Sequence, residues 1–411
     1  MSDESRRADS LIADVLGGRV KGSAPGDLVQ EIVSEAYRTP QLSPRPHWLS
    51  PGRATSPALA WATLLLLLTM LAVAGLAVVG GRPVVLAPTP TASPTDSGLI
   101  PATAATILAT IPLEGRPFSV AVGAGAIWVA HSDRVTRIDP ATSEIVATII
   151  LGTGRADIAS DGSQVWFTSA LGNFVGRIDP ASNSVSQRLT VDRPSRLAVG
   201  ADGVWVTGPD TGVVTRIDPA SGRIAATIVT SGHPELIAIG EGSVWVAEQR
   251  ASQSGGSPSH VDRINPNTNR LVASIAVPVG VTQLAYGGGS LWVSTEDDVE
   301  RIDPAKNRVV ASIAAGPFPD GLAIGARDVW AGSVEGGFSA PFPQSRAPGI
   351  LAGIDRVGAR LVVRLALPFE ASVCSGTGIP GIAVDGGSLW VAVDCGVGSV
   401  YRVDVTAFEG R

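Results

Sequence analysis

The heptapeptide VTRIDPA stands at residues 135–141 and again, letter for letter, at 214–220. Altered copies run through the rest of the chain: RIDP begins at 137, 177, 216 and 301, RINP at 263, and the degenerate GIDR and YRVD at 353 and 401. Each copy follows a tryptophan in a strand-like setting, at Trp128, Trp166, Trp205, Trp245, Trp292, Trp330 and Trp390. Self-similarity at a fixed period marks arrays whose single units cannot bury their apolar faces alone. Within one period of about 38 to 40 residues four short strands are legible. In the third copy they are RLAVG (196–200), GVWVT (203–207), VVTRID (213–218) and RIAATIV (223–229), separated by Gly, Asp-Pro or Ser-Gly. Four strands per period of this length predict a propeller blade.

The repeat then reads as architecture. Val and Ile of VTRIDPA face one side of the third strand, and Asp-Pro opens the tight turn into the fourth, Asp bonding forward to the backbone and Pro fixing φ. A large ring in every second strand is the packing contact between neighbouring blades. The ends give the blade count. ATILATI (105–111) matches a fourth strand with no first three before it, whereas GIAVD (381–385), SLWVA (388–392) and SVYRVDV (399–405) supply three strands with no fourth. The first strand therefore completes the last blade, which leaves no open seam and predicts an all-β, seven-bladed ring over 105–411.

Ahead of the ring, residues 58–79 hold no charge. At about 1.5 Å rise per residue such a stretch makes a helix of roughly 33 Å, enough to cross a bilayer core of about 30 Å. It is too long and too far from Met1 for an ordinary signal peptide. We therefore expect a single-pass anchor over 57–80. Arg6, Arg7, Arg19, Lys21, Arg38, Arg45 and Arg53 precede it, and Arg82 is the one basic residue after it until Arg116, which predicts a cytoplasmic N-terminus and an extracytoplasmic ring. Residues 1–56 form a cytoplasmic tail with short amphipathic patterns around Ala8–Leu16 and Asp27–Tyr37; residues 81–104 form a Pro/Thr/Ser linker. The net charge of -6, with only Lys21 and Lys306 as lysines, offers no basic stripe for nucleic acid. Cys374 and Cys395 permit one disulfide in an oxidising compartment.

The blades resemble those of the bacterial YVTN-repeat and streptogramin-lyase-like (virginiamycin B lyase-like) propellers, whose pattern runs roughly "vWVa...gtVsrIDpatgkvvatI.vG..P.giAvG". The resemblance covers residues 105–411 and implies the same fold, in a protein of the bacterial plasma membrane. Its functional implications are broader, because the group includes binding proteins, receptor-kinase domains and one lyase family. The lyases hold Mg²⁺ and use a histidine base with glutamates. Glu248 in WVAE resembles their WFTE position, but Arg250 stands where that pattern has histidine; His233 is the partner that a lyase reading would use.

Departures from the repeat fall in loops that open on one face: the segment after Glu248, the insert from Ser333 to Ile350, and the loop from Pro368 to Ile379. Insertions confined to one face mark the working face. Polar residues just before the first strands also vary, namely Arg116, Arg155, Asp157, Arg193, Arg196, His233, Glu235, Gln283 and Asp320, and His131, Glu248, Glu296 and Asp394 sit at second-strand ends. Such mixed donors and acceptors suit a small-molecule or peptide site. The expectation is a membrane-anchored scaffold recognising an extracytoplasmic protein or small molecule, with no cofactor. The alternatives are a Mg²⁺-dependent lyase or hydrolase and a sensor signalling through the cytoplasmic tail.

Overall fold

Short runs of alternating burial, separated by turns with left-handed residues, build seven sheets in the computed structural model. It describes residues 100–409 except 153, 155, 201, 250–258, 335–347, 371–377, 396 and 397. The tail, the expected anchor and the linker up to residue 99 lie outside the described residues. Among the described residues no helix is long and apolar enough to cross a membrane.

Blades 1 to 6 take their four meandering strands from residues 119–150, 158–190, 197–229, 233–277, 283–314 and 321–370. Blade 7 uses Gly381–Asp385, Ser388–Val393 and Ser399–Asp404, and its outermost strand is the N-terminal Ile107–Pro112, paired antiparallel with Ser399–Asp404. The expected closure is therefore present. One further strand, Thr103–Ala104, pairs parallel with the outer edge of blade 6, at Leu365 and Ala366.

All seven second-strand tryptophans are 0% exposed, and each packs towards the following blade. Trp205 lies with Val244, Val246 and Ile264 of blade 4, and Trp390 with Ile127, Val129 and Ile138 of blade 1, which closes the circle. Across the ladder from each tryptophan the innermost strand carries alanine: Ala121, Ala159, Ala198, Ala238, Ala285, Ala323 and Ala383. A small side chain at that place leaves the ring room beside the channel, because directly opposed residues share a face.

The RIDP turn does more than the sequence alone suggests. The Asp or Asn side chain accepts the backbone N–H two residues on in every blade, as in Ala141 N–H to Asp139 Oδ1 at 2.7 Å and Asn267 N–H to Asn265 Oδ1 at 2.9 Å. The arginine before it lies over its own blade's tryptophan, 4.9 Å from the ring centroid for Arg263 on Trp245. It then crosses the seam: Arg263 Nη1 donates to Pro304 O at 2.7 Å and Asn307 Oδ1 at 3.0 Å, and Nε donates to Ser243 Oγ at 2.8 Å. Arg137 and Arg216 make the equivalent bonds to Pro180 and Asn183 and to Pro266 and Asn269. The asparagines reached, Asn183, Asn269 and Asn307, are left-handed residues with φ near +50°, a conformation that Asn adopts readily.

Blade 6 lacks the arginine, because Gly353 stands in its place, where a Cβ would clash with Val363 and press on Trp330. There the C-terminal helix α1 (Thr406–Glu409) brings Phe408 edge-on to Trp330, with centroids 5.8 Å apart. Replacing Arg263 with alanine removes the cation over Trp245 and leaves two acceptors of blade 5 without their donor. We expect a loss of about 2 kcal/mol. Arg263→Lys should recover less than half of it, since an ammonium lacks the planar fork. Denaturant unfolding of the full-length chain checks both values.

Candidate functional site

In each blade the second-to-third and fourth-to-first connections lie on one face, opposite the RIDP turns. On that face Asp157, Arg196 and Glu235 occur at intervals of 39 residues (196 − 157 and 235 − 196), one blade apart in blades 2, 3 and 4. Two threonines, each two residues after a seam tryptophan, bind their strand starts together. Thr168 Oγ1 accepts from Asp157 N–H at 3.0 Å and donates to Ser195 O at 2.8 Å. Thr207 Oγ1 accepts from Arg196 N–H at 3.0 Å and lies 3.3 Å from Glu235 O. Asp157 is held from both sides, by Arg196 Nη1 on Oδ1 at 3.2 Å and by Leu197 N–H on Oδ2 at 2.9 Å.

These residues open on one cavity of ≈ 210 Å³ at the channel mouth, lined by Asp157, Arg196, Glu235, Ser195, Leu236 and Thr282 among others. Glu235 is half-buried, and the side chains of Arg196 and Asp157 are 20% and 10% exposed. The cavity thus joins a fixed ion pair, a second carboxylate, a hydroxyl and an apolar wall.

The other expected residues are placed differently. Arg116 and Asp394 meet across the ring closure, Nε to Oδ1 at 3.5 Å; burial raises the Asp394 carboxyl and Arg116 partly offsets this. His131 is buried in blade 1, its Nε2 3.0 Å from Thr136 Oγ1; burial first, then Arg134, lowers its pKa to about 4, so it is neutral at physiological pH. Glu248 is 1% exposed and accepts from Ser231 Oγ at 3.2 Å; in the ladder it opposes His260. His233 is exposed, with Nδ1 3.0 Å from Pro209 O. Gln283 caps its own strand through Leu284 N–H, Glu296 is exposed, and Asp320 is half-buried at the entry to blade 6. Arg193 pairs with Asp210 in the open, at 3.0 Å. Arg155 and Cys374 lie outside the described residues, as do 250–258 and most of the two other expected insertions. Cys395 is disulfide-bonded, and no cysteine among the described residues is free.

No family model matches the chain, and no curated relative matches it. Among solved structures it is similar to hydrazine synthase from Kuenenia stuttgartiensis, at 15% identity and a TM-score of 0.55, over 75% of this chain and 99% of that one. At that identity the likeness speaks for the propeller fold alone.

Two buried acids occupy a position that the motif hides, immediately before the arginine of VDRINP and VERIDP, where blades 1 and 3 have threonine. Asp262 is 1% exposed and neither carboxylate oxygen has a hydrogen-bond partner. Glu300 accepts from Ser312 Oγ at 2.9 Å, and burial above all raises its pKa to about 7. Its folded pKa exceeds the ordinary carboxyl value of 4.5. The native state therefore binds the proton more tightly, and this group withdraws stability as pH rises from about 4.5 to about 7. The full effect is roughly 3 kcal/mol. Glu300→Gln should gain most of that at pH 8 and little at pH 4.5. Denaturant unfolding at the two pH values checks this, and parallel pH profiles for variant and wild type would refute it.

Proposed function

We propose that the chain is a membrane-anchored, extracytoplasmic recognition scaffold that binds a small molecule or a partner's side chain at the channel mouth. The observation that carries this reading is the convergence of Asp157, Arg196 and Glu235 from three blades on one cavity. Two supports come from the sequence: the uncharged segment 58–79 with basic residues before it, and the Pro/Thr/Ser-rich spacer that follows it. The resemblance to the streptogramin-lyase-like propellers is compatible with this reading, because that group includes binding proteins.

The Mg²⁺ that a lyase of that group would hold does not fit the residues present. Glu248 is buried against Ser231, His233 stands in the open beside Pro209, and no cluster of three or more His, Cys, Asp or Glu among the described residues is arranged to ligate a metal.

A photo-crosslinking residue replacing Thr282, on the mouth, should trap a ligand or partner in native membranes. The same residue replacing Asp202, on the opposite face, should not. Equal labelling at both places would sink the proposal, as would ester or lactone turnover by the purified chain that disappears in Glu248→Ala.

A further inference from the structure

Two carboxylates in blade 5 are served by one hydroxyl. Ser312 Oγ lies 3.0 Å from Asp298 Oδ2 and 2.9 Å from Glu300 Oε1. A serine hydroxyl carries a single proton, so it donates to one of these oxygens and meets the other lone pair to lone pair, unless that carboxyl is itself protonated. Glu300 is 3% exposed, whereas Asp298, at the mouth end of the same strand, is half-buried. The proton therefore belongs on Glu300, where ionisation costs more. Glu300 Oε1–H then donates to Ser312 Oγ, and the serine's own proton goes to Asp298 Oδ2. The titration of Glu300 agrees: burial first, and also the charge of Asp298, raise its pKa to about 7 against the lowering contact of Ser312.

Neither acid has a basic partner among the described residues. Blade 4 packs apolar side chains, Val261 and Ile275 among them, against Val293 and Ile302 on this face of blade 5. Arg263 and Arg270 stand at the RIDP end of blade 4, and Arg263 is committed to Pro304 O and Asn307 Oδ1. His260 and Asp262 lie on its other face, in the ladder rows of Glu248 and Val246. Within blade 5, Glu296 and Asp297 are exposed beside Asp298, and Lys306 and Arg308 stand at the far end of the strand pair.

Asp298 also closes a turn at the mouth. Its carbonyl accepts from Thr295 N–H at 2.9 Å and from Thr295 Oγ1 at 3.0 Å. The turn touches both neighbouring connections. Glu296 O accepts from Phe318 N–H at 2.6 Å on the way to blade 6, and the Glu296 side chain lies over Gly280 on the way from blade 4, where a Cβ would clash with it. That second connection carries Thr282, a wall of the cavity, whose N–H donates to Ser294 O at 2.9 Å just before the turn. We propose that the proton shared through Ser312 holds the turn 295–298 in place, and that its loss at rising pH sets two carboxylates against each other and releases the turn beside the cavity wall. As a control on ligand binding this rests on the recognition reading; as a control on the turn it does not.

Full-length protein in detergent micelles is compared with Glu300→Gln by amide hydrogen exchange, without ligand, at pH 6 and at pH 8. Gln keeps a donor to Ser312 and cannot ionise, and comparison at equal pH cancels the pH dependence of chemical exchange. At pH 6 the two proteins should exchange alike over 294–299 and at Phe318. At pH 8 the wild type should exchange at least about tenfold faster there, while the equivalent turn of blade 1, closed by His131 N–H on Arg134 O, is unchanged. Asp298→Asn, which removes the opposing charge, should abolish most of that excess, with thermal unfolding verifying that each variant is folded.

Equal exchange of wild type and Glu300→Gln in the turn at pH 8 would overturn the proposal, as would an equal excess in the blade 1 turn. Crosslinking from position 282 reads the consequence for binding separately. Trapping by the wild type should fall between pH 6 and pH 8 and stay constant in Glu300→Gln; equal trapping by the wild type at both pH values would overturn control of binding. If nothing is trapped at either pH, the recognition reading fails, and the exchange result still decides the role of the proton.

Discussion

At five of the seven seams a guanidinium ties this ring together. At those seams an arginine lies on the tryptophan of its own blade and donates to the turn of the next, and in blade 7 Arg402 reaches Ser143 of blade 1, so the ring closes through a contact of the kind that joins four of the internal pairs. Three features of the turn serve that contact. The Asp carboxylate folds the turn, the proline leaves its carbonyl free to accept, and the left-handed Asn offers a second acceptor beside it. Arginine suits the place because its flat cation can stack on an indole and still donate along its edges. The two irregular seams show what the contact provides. Where Gly353 removes the arginine, Phe408 comes from the C-terminal helix to cover Trp330; in blade 2 Arg177 stays on Trp166, and Gln187 reaches Gly222 O instead.

The ring architecture was open to sequence reasoning because it rests on local, repeated chemistry. Periodic tryptophans, alternating strands, Asp-Pro turns and a stray fourth strand at the N-terminus dictate seven blades and their closure without any knowledge of distant contacts. The arginine was not legible in the same way. Its partners lie 41 to 56 residues away in the bonds to Pro180, Pro266, Pro304 and Val357, and only the closed ring brings one copy of the motif against the next.

The mouth was half legible. Asp157, Arg196 and Glu235 appear in the sequence as polar residues before first strands, and so do Gln283 and Asp320, which the fold does not bring to the same cavity wall. Second-strand ends were harder still. His131 and Glu248 follow their tryptophans by three residues, so by the two-residue alternation of a strand they turn away from the tryptophan's face. They are buried there, while Thr168 and Thr207, two residues after theirs, share the tryptophan's face and bridge to the next blade's strand start. A difference of one residue decides between a seam and a link to the cavity, and composition does not carry that distinction.

This division of labour explains how the mouth can vary without loss of the ring. The stacked arginines and turns lie on the face opposite the cavity, so a charge introduced before a first strand leaves the seam contacts untouched. Blades 4 and 5 show where the division ends. Asp262 and Glu300 lie within the blades, one residue from the stapling arginine, and there a carboxylate must be desolvated: Glu300 is held by Ser312, whereas Asp262 does not reach Ser274, its partner in the ladder. Burying an acid with no hydrogen bond opposes folding. Threonine, which fills the same place in blades 1 and 3, would avoid that opposition while keeping the strand's shape. The ring therefore tolerates two destabilising acids in adjacent blades, one of which contributes Glu235 to the cavity. It can do so because the seams flanking blades 4 and 5 are secured by Trp205, Trp245 and Trp292 with Arg216, Arg263 and Arg301.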